Sequence, residues 1–238
     1  QVSTDGAGNV FTNISNGGAY AGVTTATLTI STPPVSMNGY IYRCVVSGAA
    51  PCGSVNSRQA LLTVNPLPTV VLGASPYLRL FPGLTTTLFS TSAPAASSYT
   101  WLRNIVTVGG ASASSLLVTV DGLGDYKLRV VDVNGCVNNS NEVSLKDSVS
   151  GRVFIYPNPN SGQFQVRYHS VSNNTNLPRG INVYDSRGKR VLTQKYSITA
   201  PYARMDVNLS NYSTGVYWIE VVDVVGNRLA MGRAEVLR

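Results

Sequence analysis

Residues 153–164 read Val-Phe-Ile-Tyr-Pro-Asn-Pro-Asn-Ser-Gly-Gln-Phe, and this stretch shows the pattern on which the fold is built. A short apolar run, Val153–Tyr156, stops at a Pro-Asn-Pro elbow, and a second run begins at Phe164. Each Pro fixes its own φ, Asn hydrogen-bonds its own backbone, and Gly162 tolerates a positive φ. The stretch therefore predicts two β-strands joined by a sharp turn.

Five more strands are predicted toward the C-terminus, because short runs rich in Val, Ile and Tyr alternate with turn residues. The second strand of the elbow extends over Phe164–Tyr168, and the five further strands are predicted at 181–185, 190–192, Arg204–Leu209, 213–221 and Arg228–Leu237. Seven strands in about 90 residues are typical of a β-sandwich. Residues 148–238 are accordingly predicted to be one domain.

Residues 67–147 show the same count of strands and the spacing of an immunoglobulin-like sandwich. Their predicted strands are Thr69–Gly73, Tyr77–Phe81, Thr85–Ser90, Ser98–Arg103, Ser115–Val120, Asp125–Val131 and Asn141–Leu145. Trp101 is the expected buried aromatic, and Gly124-Asp125-Tyr126 resembles a tyrosine corner. Leu128 stands where an antibody domain has Cys, so this sandwich is predicted to be held by packing alone.

Residues 1–66 contain three predicted strands, Thr25–Ile30, Tyr40–Val46 and Gln59–Val64. Tyr42-Arg43-Cys44 repeats the tyrosine-corner signature, so the segment is interpreted as a partial immunoglobulin-like domain whose early strands are missing. Asn65-Pro66-Leu67-Pro68 is a stiff joint to the next domain. The predicted fold class is therefore all-β, with tandem immunoglobulin-like β-sandwiches.

The composition excludes several other classes of protein. Hydrophobic residues make up 43% of the chain and charged residues only 12%, which argues against both disorder and a helical surface rich in Glu and Lys. No run of 18 apolar residues occurs, so no membrane-spanning helix is predicted. One His and three Cys make a four-ligand zinc site unlikely to form. Neither a cofactor nor a metal is expected.

The net charge of +7 is concentrated at one end of the chain. Residues 148–238 hold eleven basic and five acidic side chains, a difference of +6, whereas residues 67–147 are balanced at five each. A basic domain indicates either an acidic partner or simply an Arg-rich solvated surface. Nucleic acid is not expected, because the basic residues are scattered singly along strands and no binding motif is present.

The cysteines allow one disulfide. Cys44 and Cys52 lie eight residues apart and are predicted to close a small loop across a hairpin, the alternative being two buried free thiols. Cys136 lies in the turn-like Val133-Asn134-Gly135-Cys136 and is left either free or paired outside this chain.

Three motifs and a terminal strand give the most specific signal. The motifs are YPNPNSGQF at 156–164, INVYDSRGKRVL at 181–192 and STGVYWIEV at 213–221. In order and spacing, residues 152–238 resemble the type A C-terminal sorting domain of the type IX secretion system. One departure is the ending, since Ala230–Arg238 uses Arg and carries Glu235 where the family commonly has a Lys-containing apolar strand.

This resemblance implies an address on a secreted, cell-surface protein, reached through the periplasm and outer membrane, rather than a catalyst. Its implied partners are an outer-membrane translocon, a shuttle protein and a cell-surface sortase, with attachment to anionic lipopolysaccharide. The implied cleavage region is the linker 145–151. Within it, Asp147-Ser148-Val149 resembles an O-glycosylation pattern, which makes Ser148 a candidate acceptor.

We expect the recognised surface to comprise the elbow, Tyr156–Gly162, and the last strand, because a free strand edge offers unpaired N–H and C=O groups. The residues of the family motifs assigned to recognition are Tyr156, Pro157, Asn158, Pro159, Gly162, Phe164, Val183, Tyr184, Asp185, Gly188, Gly215, Val216, Tyr217, Val236, Leu237 and Arg238.

The opening segment carries a second resemblance. Its text QVSTDG, TATLTI and MNGYIYRCVV is similar to immunoglobulin-like repeats of large Bacteroidetes surface proteins. The resemblance implies that Gln1 lies inside a domain and that the chain is the C-terminal end of a longer polypeptide. No signal peptide is visible at the start of the sequence.

Catalysis has little support in the sequence, and the chain is not expected to be an enzyme. His169 is the only imidazole and has no Ser or Cys motif around it. Asp121 and Asp125 bracket a turn and are better explained by turn chemistry than by an acid–base pair. The stretches DGAGN at 5–9 and DVNG at 132–135 could suggest calcium, but neither has the acidic density of a calcium loop. Three functions stay open: a multi-repeat adhesin, the tail of a secreted hydrolase, or carbohydrate-binding modules.

Overall fold

The computed structural model describes residues 1–171 and 177–237. These residues form 23 β-strands and two short 3-10 turns, Val35–Met37 and Val120–Gly122. None of the described residues forms a helix long and apolar enough to cross a membrane. The predicted all-β class is confirmed, and buried and exposed side chains alternate along strands such as Gly124–Asp132 and Met205–Asn208.

The chain folds into two compact units. One comprises Gln1–Thr69 with Pro94–Ser97 and Val131–Asn138, and the other comprises Val70–Ala93, Ser98–Val130 and Asn139–Arg238. The domain boundaries proposed from the sequence, after residues 66 and 147, stay predictions.

The segment that precedes residue 69 has seven short strands. They are β1 (Val2–Ser3), β2 (Tyr20–Ala21), β3 (Thr29–Ile30), β4 (Ile41–Tyr42), β5 (Val45–Ser47), β6 (Ser54–Asn56) and β7 (Ala60–Leu61). One sheet has the order β1-β4-β7, and β2–β3 and β5–β6 are hairpins. The buried apolar residues of this small core are Val2, Met37 and Tyr42.

The next nine strands form the middle sandwich. They are β8 (Thr69–Ser75), β9 (Arg79–Leu80), β10 (Thr85–Ala93), β11 (Ala96–Arg103), β12 (Val106–Thr107), β13 (Ser115–Thr119), β14 (Gly124–Asp132), β15 (Val137–Asn139) and β16 (Val143–Asp147). One sheet has the order β13-β10-β8 and the other β12-β11-β14-β16-β9.

Three sequence expectations for the middle sandwich are met by its structure. Trp101 is 0% exposed and its Nε1 donates to the Ala113 carbonyl at 2.9 Å. Tyr126 forms the tyrosine corner, since its hydroxyl donates to the Gly122 carbonyl at 2.5 Å. Leu128, which is also fully buried, fills the Cys position. An aliphatic side chain there gives the packing that a disulfide would otherwise supplement.

The last seven strands form the C-terminal sandwich. They are β17 (Phe154–Tyr156), β18 (Gln163–Arg167), β19 (Leu177–Tyr184), β20 (Arg190–Ile198), β21 (Met205–Asn208), β22 (Gly215–Val222) and β23 (Arg228–Val236). The sheets β17-β18-β21 and β20-β19-β22-β23 enclose a core built from their alternate residues. The strand count matches the sequence prediction.

This sandwich has a tyrosine corner of its own, which the sequence reading missed. The Tyr217 hydroxyl donates to the Ser213 carbonyl at 2.6 Å, four residues upstream, as Tyr126 does to Gly122. In both places the pattern is Gly-x-Tyr at the start of a strand. The shared pattern could have revealed the second corner from sequence.

One turn design occurs three times in the chain, with the pattern Asp-x-x-Gly-x. Asp132, Asp185 and Asp223 each accept hydrogen bonds from the amides two and four residues ahead, and their own amides donate to the carbonyl of the fourth residue. The glycines have φ between 79° and 94°. In each turn the carboxylate accepts hydrogen bonds from backbone amides that would otherwise need a carbonyl acceptor, while Gly adopts the left-handed conformation.

Strand lengths differ from the predictions where polar side chains interrupt the pattern. The predicted strand Thr25–Ile30 is extended only at Thr29–Ile30, because the Thr25 hydroxyl donates to the Gly22 and Thr27 carbonyls and holds a turn. Conversely, β19 and β20 are longer than predicted. Exposed residues on β20 conceal its alternation in the sequence.

Two predictions about the first segment were wrong. Tyr42 forms no tyrosine corner, since its hydroxyl lies 3.0 Å from that of Tyr20. Cys44 and Cys52 are exposed free thiols. The hairpin register places Cys44 opposite Ser57, three positions below the pair Ser47–Ser54, with Cys52 beyond that pair in the connecting turn. Three positions are about 10 Å of strand, which exceeds the ~7 Å Cα separation that a disulfide spans.

The repeated turn gives a test of backbone strain. Gly188 has φ +79° and a Cβ there would meet nothing within 4 Å, so Gly188→Ala changes only the conformational preference. We expect the free energy of unfolding to fall by about 1–2 kcal/mol in denaturant titration. Gly151→Ala is the matched control, because its site is equally open but its φ is not positive. An equal effect of both substitutions would contradict the strain account.

Candidate functional site

The elbow and the last strand, which the sequence assigned separately to recognition, lie side by side. Asn160 forms a parallel bridge with Val236: its amide donates to the Glu235 carbonyl at 2.9 Å, and its carbonyl accepts from the Leu237 amide at 2.8 Å. The backbone of the elbow therefore continues the sheet beyond β23 for one residue.

Asn158 extends this pairing with its side chain. Its Nδ2 donates to the Arg233 carbonyl and its Oδ1 accepts from the Glu235 amide, both at 2.9 Å. A carboxamide presents one donor and one acceptor in a plane, as a peptide group does. The Asn158 side chain thus adds a second pair of hydrogen bonds between the elbow and β23, although Pro157 and Pro159 on either side lack amide donors.

Gly162 closes the elbow against the sandwich. Its amide donates to Asn160 Oδ1 at 2.8 Å, and its carbonyl accepts from the Leu209 amide. A Cβ on Gly162 would lie 2.9 Å from the Ser210 Cα, and φ is +105°. Both the close approach and the left-handed conformation require glycine at this position. Asn160 itself is buried, 6% exposed.

The expected free edge of the last strand is therefore only partly free. The elbow forms hydrogen bonds with the outward carbonyl of Arg233, the backbone amide and carbonyl of Glu235, and the amide of Leu237. A partner that recognises this end of the domain meets the outer surface of the elbow rather than bare backbone. Tyr156, 38% exposed, and Leu237, 51% exposed, flank that surface with apolar side chains.

A second surface lies on the outer face of the sheet β20-β19-β22-β23. Trp218, 44% exposed, and Met231 line a depression of about 430 Å³ together with Tyr184, Glu220 and Arg228. The Tyr184 hydroxyl donates to Glu220 Oε2 at 2.8 Å, and this bond is the main cause that raises the pKa of Tyr184. Sequence analysis did not single out Trp218 or Met231 as surface residues.

The residues assigned to recognition from sequence fall into three groups in the structure. Those with exposed or half-buried side chains are Tyr156, Pro157, Asn158, Pro159, Tyr184, Val216 and Leu237. Those in the core are Phe164, Val183, Tyr217 and Val236. Those that shape turns or strand starts are Gly162, Asp185, Gly188 and Gly215. Arg238 lies outside the described residues.

This grouping separates folding residues from contact residues. Asp185 and Gly188 build one of the three repeated turns, and Tyr217 forms the tyrosine corner. The elbow and the end of β23 converge on one place, and Gly215 and Val216 of β22 pair there with Val236 and Glu235. Asn160, which lies within the predicted elbow but was not named among the motif residues, joins the elbow to β23.

The described residues contain no group of three or more His, Cys, Asp or Glu side chains that could hold a metal ion. At the DGAGN stretch, the Asp5 carboxylate accepts hydrogen bonds from the Ser3 hydroxyl and four backbone amides, which hold its pKa well below the usual value. The carboxylate therefore serves the turn. His169 bonds to Asp147 Oδ2 at 2.8 Å.

A comparison with protein families identifies the last segment. The model described as "Secretion system C-terminal sorting domain" matches residues 154–228. These residues are a domain of that family. It marks proteins that the type IX system exports to the cell surface or the extracellular space, so the sorting domain predicted from the sequence motifs is confirmed.

Solved structures similar to the chain share little sequence with it. The human OSCAR ligand-binding domain is 19% identical, with 72% of this chain and 97% of that one covered and a TM-score of 0.28. Fibronectin(III)-like modules of Clostridium thermocellum CbhA are 15% identical, covering 71% and 93%, with a TM-score of 0.29. Dimeric latent PorU from Porphyromonas gingivalis is 13% identical, covering 89% and 25%, with a TM-score of 0.32. No curated protein matches the chain.

The pairing of the elbow with β23 can be tested at one side chain. In Asn158→Ala the Glu235 amide loses its acceptor, and we expect its hydrogen exchange to accelerate about tenfold, as for the loss of one hydrogen bond that protects the amide. Asn158→Asp keeps the acceptor and loses the donor, so the exchange rate of the Glu235 amide in this variant should lie between those of the wild type and Asn158→Ala. Exchange is followed by NMR.

Asn227→Ala is the matched control for this measurement. Asn227 donates to Asp223 in the turn at the other end of the β22–β23 hairpin. It should leave exchange at Glu235 unchanged. Unaltered exchange at Glu235 in both Asn158 variants would show that the elbow does not protect the last strand.

Proposed function

We propose that the chain is the C-terminal part of a multi-repeat surface adhesin. In this proposal the type IX machinery binds the C-terminal sandwich at the elbow and the end of β23. The observation that supports this surface is the double attachment of Asn158 and Asn160 to Arg233–Leu237. It gives the export signal a fixed shape, and a fixed shape loses little conformational entropy on binding.

The proposed binding partners of this surface are the outer-membrane translocon and the shuttle protein. A cell-surface sortase then acts in the linker 145–151, and the passenger is joined to anionic lipopolysaccharide. The net charge of +6 carried by residues 148–238 is compatible with an anionic surface. O-glycosylation of Ser148, whose side chain is half-buried, belongs to the same proposal.

The adhesin is favoured as the passenger over a hydrolase, because the opening segment with QVSTDG, TATLTI and MNGYIYRCVV resembles repeats that are typical of multi-repeat surface proteins. The alternative places a catalytic domain upstream of Gln1, with the immunoglobulin-like modules as spacers or carbohydrate-binding units. The gene sequence upstream distinguishes the two: further repeats support the adhesin, and a catalytic domain supports the hydrolase.

The recognition surface is tested with a reporter fused before the full 238-residue chain, in a bacterium with a type IX system. Asn158→Ala and Leu237→Asp should lower the surface-exposed fraction of the reporter at least roughly tenfold, the effect of losing about 1.4 kcal/mol of binding. Asn227→Ala and Val224→Asp are the controls, because they alter a similar amide and an exposed apolar residue at the opposite end of the hairpin.

Two outcomes of this assay separate the parts of the proposal. Deletion of residues 148–238 should abolish export, and normal export of that deletion would refute the sorting role in this chain. Normal export of both surface variants, with wild-type thermal unfolding, would instead remove the elbow from the recognised surface.

A further inference from the structure

The C-terminal sandwich is docked on the middle sandwich through a buried arginine. Arg167 on β18 is 7% exposed, and its guanidinium makes a bidentate pair with Asp121 of the middle sandwich, with Nη2 and Oδ2 2.9 Å apart. Two further donors are used as well, since Nε donates to Gln165 at 2.8 Å and Nη1 to the Tyr202 carbonyl at 3.1 Å. A buried guanidinium is stable only when it is paired in this way.

Aromatic side chains of β17 extend the same contact. The Phe154 ring stacks on Phe81 of the middle sandwich, with centroids 5.7 Å apart. The Tyr156 hydroxyl donates to the Pro82 carbonyl at 3.2 Å. Gly83 provides the space, because a Cβ there would lie 3.2 Å from that hydroxyl. A charged pair, a ring stack and a hydrogen bond thus join the outer face of β17 and β18 to the middle sandwich.

The segment between the two sandwiches takes part in this interface, although the sequence suggested an open linker. β16 runs parallel to β9 up to Asp147, and the Ser148 amide donates to the Leu80 carbonyl at 2.8 Å. On its other side, the Ser148 carbonyl accepts from the Tyr202 hydroxyl at 2.6 Å. The backbone of Ser148 is therefore held by both sandwiches.

The side chain of Asp147 adds a second tie. Its Oδ2 lies 2.8 Å from His169 Nε2, and the His169 side chain is 8% exposed. The imidazole in turn contacts the edge of the Tyr202 ring, with centroids 5.2 Å apart. Burial and then the Asp147 charge raise the pKa of Tyr202, so its hydroxyl stays a donor.

We propose that this docked interface closes the linker to proteolysis, so that cleavage between the two sandwiches requires them to separate first. The inference rests on the proposed function only in taking residues 145–151 as the processing segment. Ser148 is held on one side and Val153 packs on the core of the C-terminal sandwich on the other. Only residues 149–152 lie between these two anchors, which leaves little chain free to bind in extended form as a peptide strand does.

The proposal gives the interface a regulatory role. A partner that binds the C-terminal sandwich and displaces Asp121 or Phe81 would expose the linker, whereas the undisturbed chain would protect it. Cleavage would then follow the population of the separated state, because proteolysis of an opened form tracks the opening equilibrium.

The test is limited proteolysis of the full chain with a broad-specificity protease, in the absence of any secretion component. Mass spectrometry follows the rate of cuts at residues 147–153. Asp121→Ala should raise that rate about tenfold or more, as expected when a charged hydrogen-bonded partner is lost. Tyr202→Phe, which removes only the bond to Ser148, should raise it a few-fold.

Matched controls distinguish this interface from general loss of stability. Asp206→Ala breaks the exposed Arg204–Asp206 pair, and Tyr196→Phe removes a hydroxyl bonded to Asp206, both within the C-terminal sandwich. Neither should alter the cutting rate. Thermal unfolding of each variant shows whether the sandwiches themselves stay folded.

Two results would overturn the proposal. One is a wild-type chain cut at the rate of a free peptide of sequence 145–153. The other is an unchanged rate in both Asp121→Ala and Tyr202→Phe. Because no translocon or sortase is present, failure here leaves the export assay unaffected, and failure of export leaves this measurement unaffected.

Discussion

The last strand of a sandwich carries a row of backbone groups on its outer edge, and in this chain two asparagines satisfy those at its C-terminal end. Asn160 pairs through its backbone and Asn158 through its carboxamide, so that Arg233, Glu235 and Leu237 all have partners. The prolines of the elbow cannot supply amide donors, so an asparagine side chain is the nearest group that can. The positions of Gly162 and β23 both depend on this pairing.

Much of the fold could be predicted because its rules are local. The alternation of strands, the buried Trp101 and the corner at Tyr126 follow from spacing and turn chemistry. The C-terminal motifs were informative for a similar reason, since residues such as Asp185 and Tyr217 are needed to fold any sandwich of this kind. A sequence signature of the family is thus largely a record of how the domain folds.

The remaining features are set by contacts between distant residues, which no local pattern reports. Arg167 and Asp121 are 46 positions apart, and the chain gives no sign that they meet. The disulfide prediction failed for a related reason, because a separation of eight positions between Cys44 and Cys52 does not reveal the hairpin register that keeps them apart. The elbow was recognisable from its letters, but its attachment to β23 was not.

The covered edge of β23 also bears on how the protein behaves before it reaches its destination. Exposed strand edges pair with one another, so an uncovered β23 edge would offer a pairing site to a second copy of the domain. By occupying the groups of residues 233–237, the elbow removes much of the template on which a second copy would add a strand. The elbow, which shapes the proposed recognition surface, thus also protects the domain from edge-to-edge aggregation during export.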